Sequence, residues 1–311
     1  MDAPVGLVQA LLPVTAHVAA RVAAAHPSAR ILGTERMGSA VVVESAGLLL
    51  TVNYVVMGAR RIRVTMTDGR RLDARIVAQD FDSGLALLRV AASGLPAAAL
   101  ASSEDMSRGA PVFVIAATGP TDRRVAGGLV TDLGEFEAYW EYALDRGIVS
   151  SAQNPGFGGG PLFDLRGAVV GVVSLNLEGI GRESLAIPVE YFTRHKAELI
   201  QFGHVASRRR RAWIGVFPHA VEERLVVAGL VPDGPGERAG LQEGDVILRV
   251  DDEEISSRRG LYAALWRHGP GERVQLEVMR EDRVQRVEVL TQDRSAFYAP
   301  ERRGSGDPPP S

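Results

Sequence analysis

Apolar residues in this chain gather in short runs separated by turn signals, and the runs predict mostly strands. Between Met37 and Val90, Val/Ile/Leu-rich stretches fall at 40–43, 48–52, 61–66, 72–77 and 85–90, with Asp68-Gly69 as one of the turns. A Pro-, Gly- and Ser-containing loop over 92–108 precedes a second set at 111–116, 127–131, 168–174 and 184–188. Three segments follow a helical period instead. Residues 6–25 place Leu7, Leu11, Val14, Val18 and Val22 on one face, which predicts an amphipathic packing helix. Residues 189–201 predict a closing helix. Residues 257–266 predict a third, with Leu261 and Leu265 on one face and Tyr262 and Trp266 on the neighbouring one. An acidic, aromatic segment at 132–147 interrupts the second set, and by its residues reads as a surface loop packing aromatics on its own domain.

The motifs lie at the ends of these runs. Residues 156–162, Gly-Phe-Gly-Gly-Gly-Pro-Leu, resemble the nucleophile loop of chymotrypsin-fold serine proteases, Gly-Asn-Ser-Gly-Gly-Pro-Leu. Gly158 stands at the nucleophilic serine. Residues 49–56, Leu-Leu-Thr-Val-Asn-Tyr-Val-Val, resemble that family's Leu-Thr-x-x-His-Val-Val, with Tyr54 at the histidine. Residues 80–90 resemble its Asp-x-x-x-Asp-Leu-Ala-x-Leu, with Gly84 at the orienting aspartate. The order base, orienter, nucleophile, with Gly38–Val43 ahead of it, resembles the HtrA/Deg group of bacterial proteases, which act in protein quality control. Leu185-Ala186-Ile187-Pro188 is similar to the group's cleft-lining strand, and the resemblance implies as the alternative for 132–147 a loop that senses the PDZ domain or an activating peptide. The implied fold is mainly β: a double six-stranded β-barrel of chymotrypsin type, then an α+β PDZ domain.

Residues 212–292 resemble a PDZ domain of the protease-associated type. Trp213-Ile214-Gly215-Val216 matches the loop that captures a peptide C-terminus, and Glu243–Val250 matches the Gly-Asp-x-Ile strand. The implied peptide-binding residues are Trp213, Ile214, Gly215, Val216, Tyr262 and Trp266. The expected organisation is an N-terminal helix (1–29), a trypsin-like domain (30–202), a solvated linker (203–211) containing Arg208–Arg211, the PDZ domain (212–292) and a disordered tail (293–311).

The chemistry follows from what the three positions contain. A serine protease needs an activated hydroxyl, a base and an orienter. Glycine supplies no nucleophile, and a tyrosine near its ordinary pKa of ~10 is a poor base at neutral pH. Gly156, Phe157 and Gly158 would form the oxyanion loop, softened by the run Gly158–Gly160. Ser150, Ser151 and Ser174 are alternative hydroxyls, but no motif places a histidine beside them, and the six histidines are expected outside the cleft. The expectation is a catalytically inactive scaffold or regulator that binds peptides or protein C-termini. The alternatives are a serine endopeptidase with non-standard residues and a chaperone-like oligomer. No aromatic residue precedes Tyr54, which argues against a trimer built on N-terminal aromatics.

Composition adds limits. The 311 residues carry a net charge of −3 and no cysteine, which removes disulfides and thiol chemistry and leaves no global bias towards nucleic acid or anionic membranes. No cofactor or metal motif such as two His at i, i+4 is present. No apolar stretch approaches the ~20 residues of a membrane span. Asp2 stands where a secretory signal would be basic, and Pro13, His17 and Arg21 break the apolar stretch that follows. A cytoplasmic location is therefore favoured, with export if a leader lies outside this sequence.

Overall fold

The computed structural model describes residues 5–177, 182–222 and 224–299. Two closed barrels and one open sheet follow one another along the chain. Helix α1 (Val5–Leu11) and a 3-10 turn lead into β1 (Thr15–Val22). Helix α2 (Pro27–Leu32), β2 (Glu35–Glu44), β3 (Leu48–Val52), α3 (Asn53–Val56), β4 (Ala59–Thr65), β5 (Arg71–Asp80) and β6 (Leu85–Val90) follow. The six strands close in the order β1-β2-β3-β6-β5-β4. Every residue of β3 is buried. Its unbroken run Leu-Leu-Leu-Thr-Val suits a strand packed on both faces.

The predicted helix over 6–25 is corrected here. Only Val5–Leu11 is α-helical, and Thr15–Val22 is the first barrel strand, paired with β2 and β4 along its length. Its alanines and valines read as helical locally, but the barrel needs a strand between β2 and β4, and tertiary pairing overrides a weak local preference.

The second barrel comprises β7 (Pro111–Ala117), β8 (Arg123–Ala138), β9 (Tyr142–Ser150), β10 (Pro161–Asp164), β11 (Val169–Leu177) and β12 (Glu183–Pro188), closing as β10-β11-β12-β9-β8-β7. The segment 132–147 is a hairpin, not a loop. β8 and β9 run on beyond the barrel and turn through Tyr139-Trp140-Glu141, with Ala138 paired to Tyr142. The predicted closing helix is two: α4 (Glu190–Thr193) and α5 (Lys196–Phe202), divided where His195 leaves helical geometry at φ −115°.

The third unit holds β13 (Val216–Val221), β14 (Arg224–Leu230), α6 (Pro235–Arg238), β15 (Val246–Val250), β16 (Glu253–Glu254), α7 (Arg258–Leu265), β17 (Arg273–Arg280), β18 (Arg283–Leu290) and α8 (Arg294–Phe297). Its sheet runs β13-β14-β15-β17-β18, so β13 is an edge strand. Ser257 caps α7 by accepting from Gly260 N. Leu261 and Leu265 are fully buried, as their spacing predicts.

Two further expectations change. Residues 293–299 are ordered in place of a disordered tail: Tyr298 is only 3% exposed and stacks on Phe81. The rest of that tail, 300–311, lies outside the described residues. The segment 203–211 is exposed at five of its nine residues but anchored through its arginines. Arg208 Nη1 meets Asp80 at 2.8 Å and Asp82 at 3.2 Å, Arg210 meets Asp293 at 2.6 Å, and Arg211 lies 4.1 Å from the Trp266 ring centroid. The arginines bind the PDZ unit to the first barrel.

Candidate functional site

The structure brings the three motif positions together between the barrels. Tyr54 projects from α3, and its hydroxyl donates to Ser174 O on β11 at 2.8 Å. A Cβ placed on Gly158 would lie 1.9 Å from that hydroxyl and 3.0 Å from Ser174 O. The tyrosine oxygen thus occupies the space a serine side chain would need. Burial pushes Tyr54 up to about 12, so its hydroxyl stays protonated and acts as a donor.

Gly84 closes the cluster from the other side. Its carbonyl accepts from Asn53 N at 2.7 Å, beside Tyr54. It adopts φ +80°, and a Cβ there would meet the Tyr142 ring and hydroxyl at 3.1 Å. Tyr142 donates to Ser83 O at 2.7 Å. An aromatic ring from β9 therefore stands where an orienting carboxylate would project.

The loop over 156–160 is pinned, not softened. Ser39 N donates to Gly158 O at 2.7 Å, Gly159 N to Val173 O at 2.7 Å and Val173 N to Gly160 O at 2.8 Å. Ser39 Oγ donates to Phe157 O at 2.7 Å. The half-buried Phe157 ring meets His17 edge-on, centroids 5.9 Å apart. This corrects the expectation that every histidine lies outside the cleft. His17 sits on β1, buried, and neither ring nitrogen has a hydrogen-bond partner. Burial and the nearby Arg123 hold it below its ordinary pKa, so it is neutral.

Ser150 Oγ is buried without a partner, and Ser151 Oγ accepts from Leu129 N at 3.0 Å. Ser28 does meet a histidine, 2.7 Å from His26 Nδ1, but it is fully buried and accepts from Arg36. Among the described residues no group of three or more His, Cys, Asp or Glu could hold a metal ion.

The second site lies at the start of β13. The amides of Ile214, Gly215 and Val216 converge on one carboxylate, as a capture loop for a peptide terminus requires. That carboxylate belongs to Glu141: Ile214 N reaches Oε2 at 3.2 Å, and Gly215 N and Val216 N reach Oε1 at 2.6 and 3.0 Å. Gly215 has φ +76°, and a Cβ there would press on the Trp213 ring at 3.2 Å. Trp213 itself packs away from the groove, on Phe297 and Tyr298. Tyr262 is buried beneath the hairpin, donating to Ala138 O at 2.5 Å and accepting from Glu141 N at 2.9 Å. Trp266 stacks on Tyr262 with centroids 5.2 Å apart.

Two family matches coincide with these units. A Trypsin-like peptidase domain matches residues 38–172 and a PDZ domain matches 212–291. The chain is HtrA-like. A probable periplasmic serine endoprotease, DegP-like, from Halomonas elongata is 32% identical over 275 residues, covering 83% of this chain and 56% of that protein. The protein of the same description from Hahella chejuensis is 33% identical, covering 78% of this chain and 54% of its own length. This HtrA-like chain thus spans little more than half the length of those relatives. Among solved structures, the HtrA-type protease AlgW with tripeptide aligns at TM-score 0.56 and 27% identity, covering 92% of this chain and 95% of that one. AlgW with decapeptide aligns at 0.55 and 27% identity, over 93% and 98%. The relatives' names overturn the cytoplasmic expectation, since they are described as periplasmic. Asp2 and the interruptions at Pro13, His17 and Arg21 describe only the start of this chain and do not report its compartment. No helix among the described residues is long and apolar enough to cross a membrane.

Proposed function

We propose that this HtrA-like protein is a pseudoprotease that binds protein C-termini or unfolded peptides through its PDZ groove, as a scaffold or regulator in the periplasm. The observation that supports loss of catalysis is the pairing of Gly158 with Tyr54: there is no hydroxyl at the nucleophile's place, and the Tyr54 oxygen lies 1.9 Å from where a Cβ would begin. The observation that supports peptide binding is the convergence of the Ile214, Gly215 and Val216 amides on a carboxylate. The similar AlgW structures are described with a tripeptide and a decapeptide.

A second reading, a serine endopeptidase with unorthodox residues, is favoured by the relatives, which are named serine endoproteases. Fluorophosphonate labelling and casein hydrolysis separate the two readings. Calorimetry with C-terminal peptides in free-acid and amidated form tests the binding half. Free acids are expected to bind in the micromolar range, about −8 kcal/mol. Equal binding of acid and amide would remove the capture loop from the reading.

A further inference from the structure

The amide cradle of the PDZ groove is already filled by a side chain from the other domain. We propose that Glu141 is an internal ligand which latches this groove, so that a protein C-terminus enters only by displacing it. The proposal rests on the reading of the groove as a carboxylate receptor and names how that receptor is regulated.

Three sets of contacts carry it. The first is the carboxylate itself. Glu141 is 4% exposed and accepts from three backbone amides of one loop, the arrangement expected for a peptide terminus.

The second is the backbone beneath it. Glu141 has φ +53° at the last position of a three-residue hairpin tip. Three-residue hairpins place a left-handed residue there, and glycine is the unstrained choice. A glutamate kept at such a position violates the local rule, and local violations concentrate at functional or switching sites.

The third is the seat around the tip. Tyr262 brackets it by bonding both Ala138 O and Glu141 N, and Arg294 Nη1 donates to Glu141 O at 3.1 Å. Arg258 pairs with Glu137 at 3.7 Å, Arg259 pairs with Glu135, and Tyr139 meets Phe217 edge-on. The Tyr262 bonds are buried and the Arg259–Glu135 pair is exposed, so the tip is held by a buried polar seat with an ion pair at its rim.

The latch closes the cradle directly and the strand beside it in part. Among the described residues β13 pairs with no strand but β14, while Arg258 Nε donates to Pro218 O at 3.2 Å and Tyr139 packs on Phe217, so an added peptide strand must also move these two side chains. What an incoming chain lacks is the carboxylate cradle. The hairpin also joins the two sites, because Tyr142, the neighbour of Glu141, is the ring that faces Gly84.

The test uses the intact chain and two variants. Glu141→Gly relieves the positive φ and removes the ligand, and Glu141→Gln keeps the side-chain length but replaces one of the two accepting oxygens with an NH2 that cannot accept. Each protein is titrated calorimetrically with N-acetylated octapeptides ending in Val, Leu or Phe, as free acids and as amides. Hydrogen exchange of the Ile214, Gly215 and Val216 amides is followed without peptide. If the latch leaves the groove open ~1–10% of the time, free acids bind Glu141→Gly about 10–100-fold more tightly than wild type. The three amides exchange at least ~10-fold faster in Glu141→Gly, with Glu141→Gln between. Equal free-acid affinity in wild type and Glu141→Gly overturns the latch but leaves the receptor reading intact. If no peptide binds any of the three proteins, the receptor reading fails. Exchange then decides the latch alone: faster exchange in Glu141→Gly supports it and unchanged exchange overturns it.

Discussion

Adding one methyl group at residue 158 is the sharpest probe of how Tyr54 fills the vacated site. In Gly158→Ala the new Cβ would fall 1.9 Å from the Tyr54 hydroxyl and 3.0 Å from Ser174 O. Neither neighbour yields easily: the loop carbonyl at Gly158 is bonded to Ser39 N, and the tyrosine is bonded to Ser174 O. Overpacking of a filled site costs about 1–3 kcal/mol, and displacing the hydroxyl adds about 1 kcal/mol for its lost hydrogen bond. The expected destabilisation is therefore roughly 2–4 kcal/mol. Tyr54→Phe alone should cost about 1 kcal/mol, for the same hydrogen bond. In the Tyr54→Phe background the closest atom is gone, although the Tyr54 Cζ position remains 3.1 Å away. The two substitutions should then be less than additive by about 1–3 kcal/mol, as expected for groups in direct contact. The assay is urea unfolding followed by far-UV circular dichroism and by tryptophan fluorescence, with coincident transitions needed before a single free energy is quoted. Additivity within about 0.5 kcal/mol would refute the claim that Tyr54 fills the serine's place.

Three other outcomes are expected. Tyr54→His, Gly84→Asp and Gly158→Ser together should give no casein hydrolysis, because the new aspartate must adopt φ +80° against Tyr142; turnover by this triple variant would contradict that placement. Arg208→Ala should cost about 1–3 kcal/mol in urea unfolding, since it strips the partner from Asp80, which is 5% exposed; a loss no larger than that of the exposed Arg209→Ala would refute the pinning role. The latch should loosen with rising pH. Burial raises Glu141 from 4.5 to about 7, outweighing the amides of Val216, Ile214 and Gly215 and the Arg294 guanidinium, with Tyr262, Tyr298, Arg258 and Glu137 also near the tip. A raised folded-state pKa gives stability that is fully present below 4.5 and lost as pH rises through about 7. The stability of wild type relative to Glu141→Gln should thus fall by roughly 1–3 kcal/mol between pH 5 and pH 8, and a flat or rising difference would contradict it.

Much of the architecture is legible in the residues, and the misses share a cause. The barrel strands announce themselves through short apolar runs such as Leu48–Val52, and the PDZ helix through the i, i+4 pair Leu261 and Leu265. The three vacated positions are readable because the surrounding motifs hold their frame. What escapes is decided by distant partners. Thr15–Val22 is a strand only because β2 and β4 flank it. Arg208–Arg211 look solvated until Asp80, Asp82, Asp293 and Trp266 arrive from elsewhere in the chain. Tyr142 faces Gly84 from 58 positions further along the chain, and Glu141 reaches amides more than 70 residues away. The one local sign of the latter was a glutamate, not a glycine, at a hairpin tip, and the hairpin was itself invisible within an aromatic, acidic segment.

Fluorophosphonate labelling of the purified chain, run beside hydrolysis of unfolded casein, tests the central proposal most directly. With Gly158 at the nucleophile's position and Tyr54 filling the space beside it, no serine should be labelled and casein should be cleaved no faster than in buffer. Labelling of a specific serine such as Ser151, abolished together with casein cleavage by Ser151→Ala, would contradict the proposal and establish the endopeptidase reading.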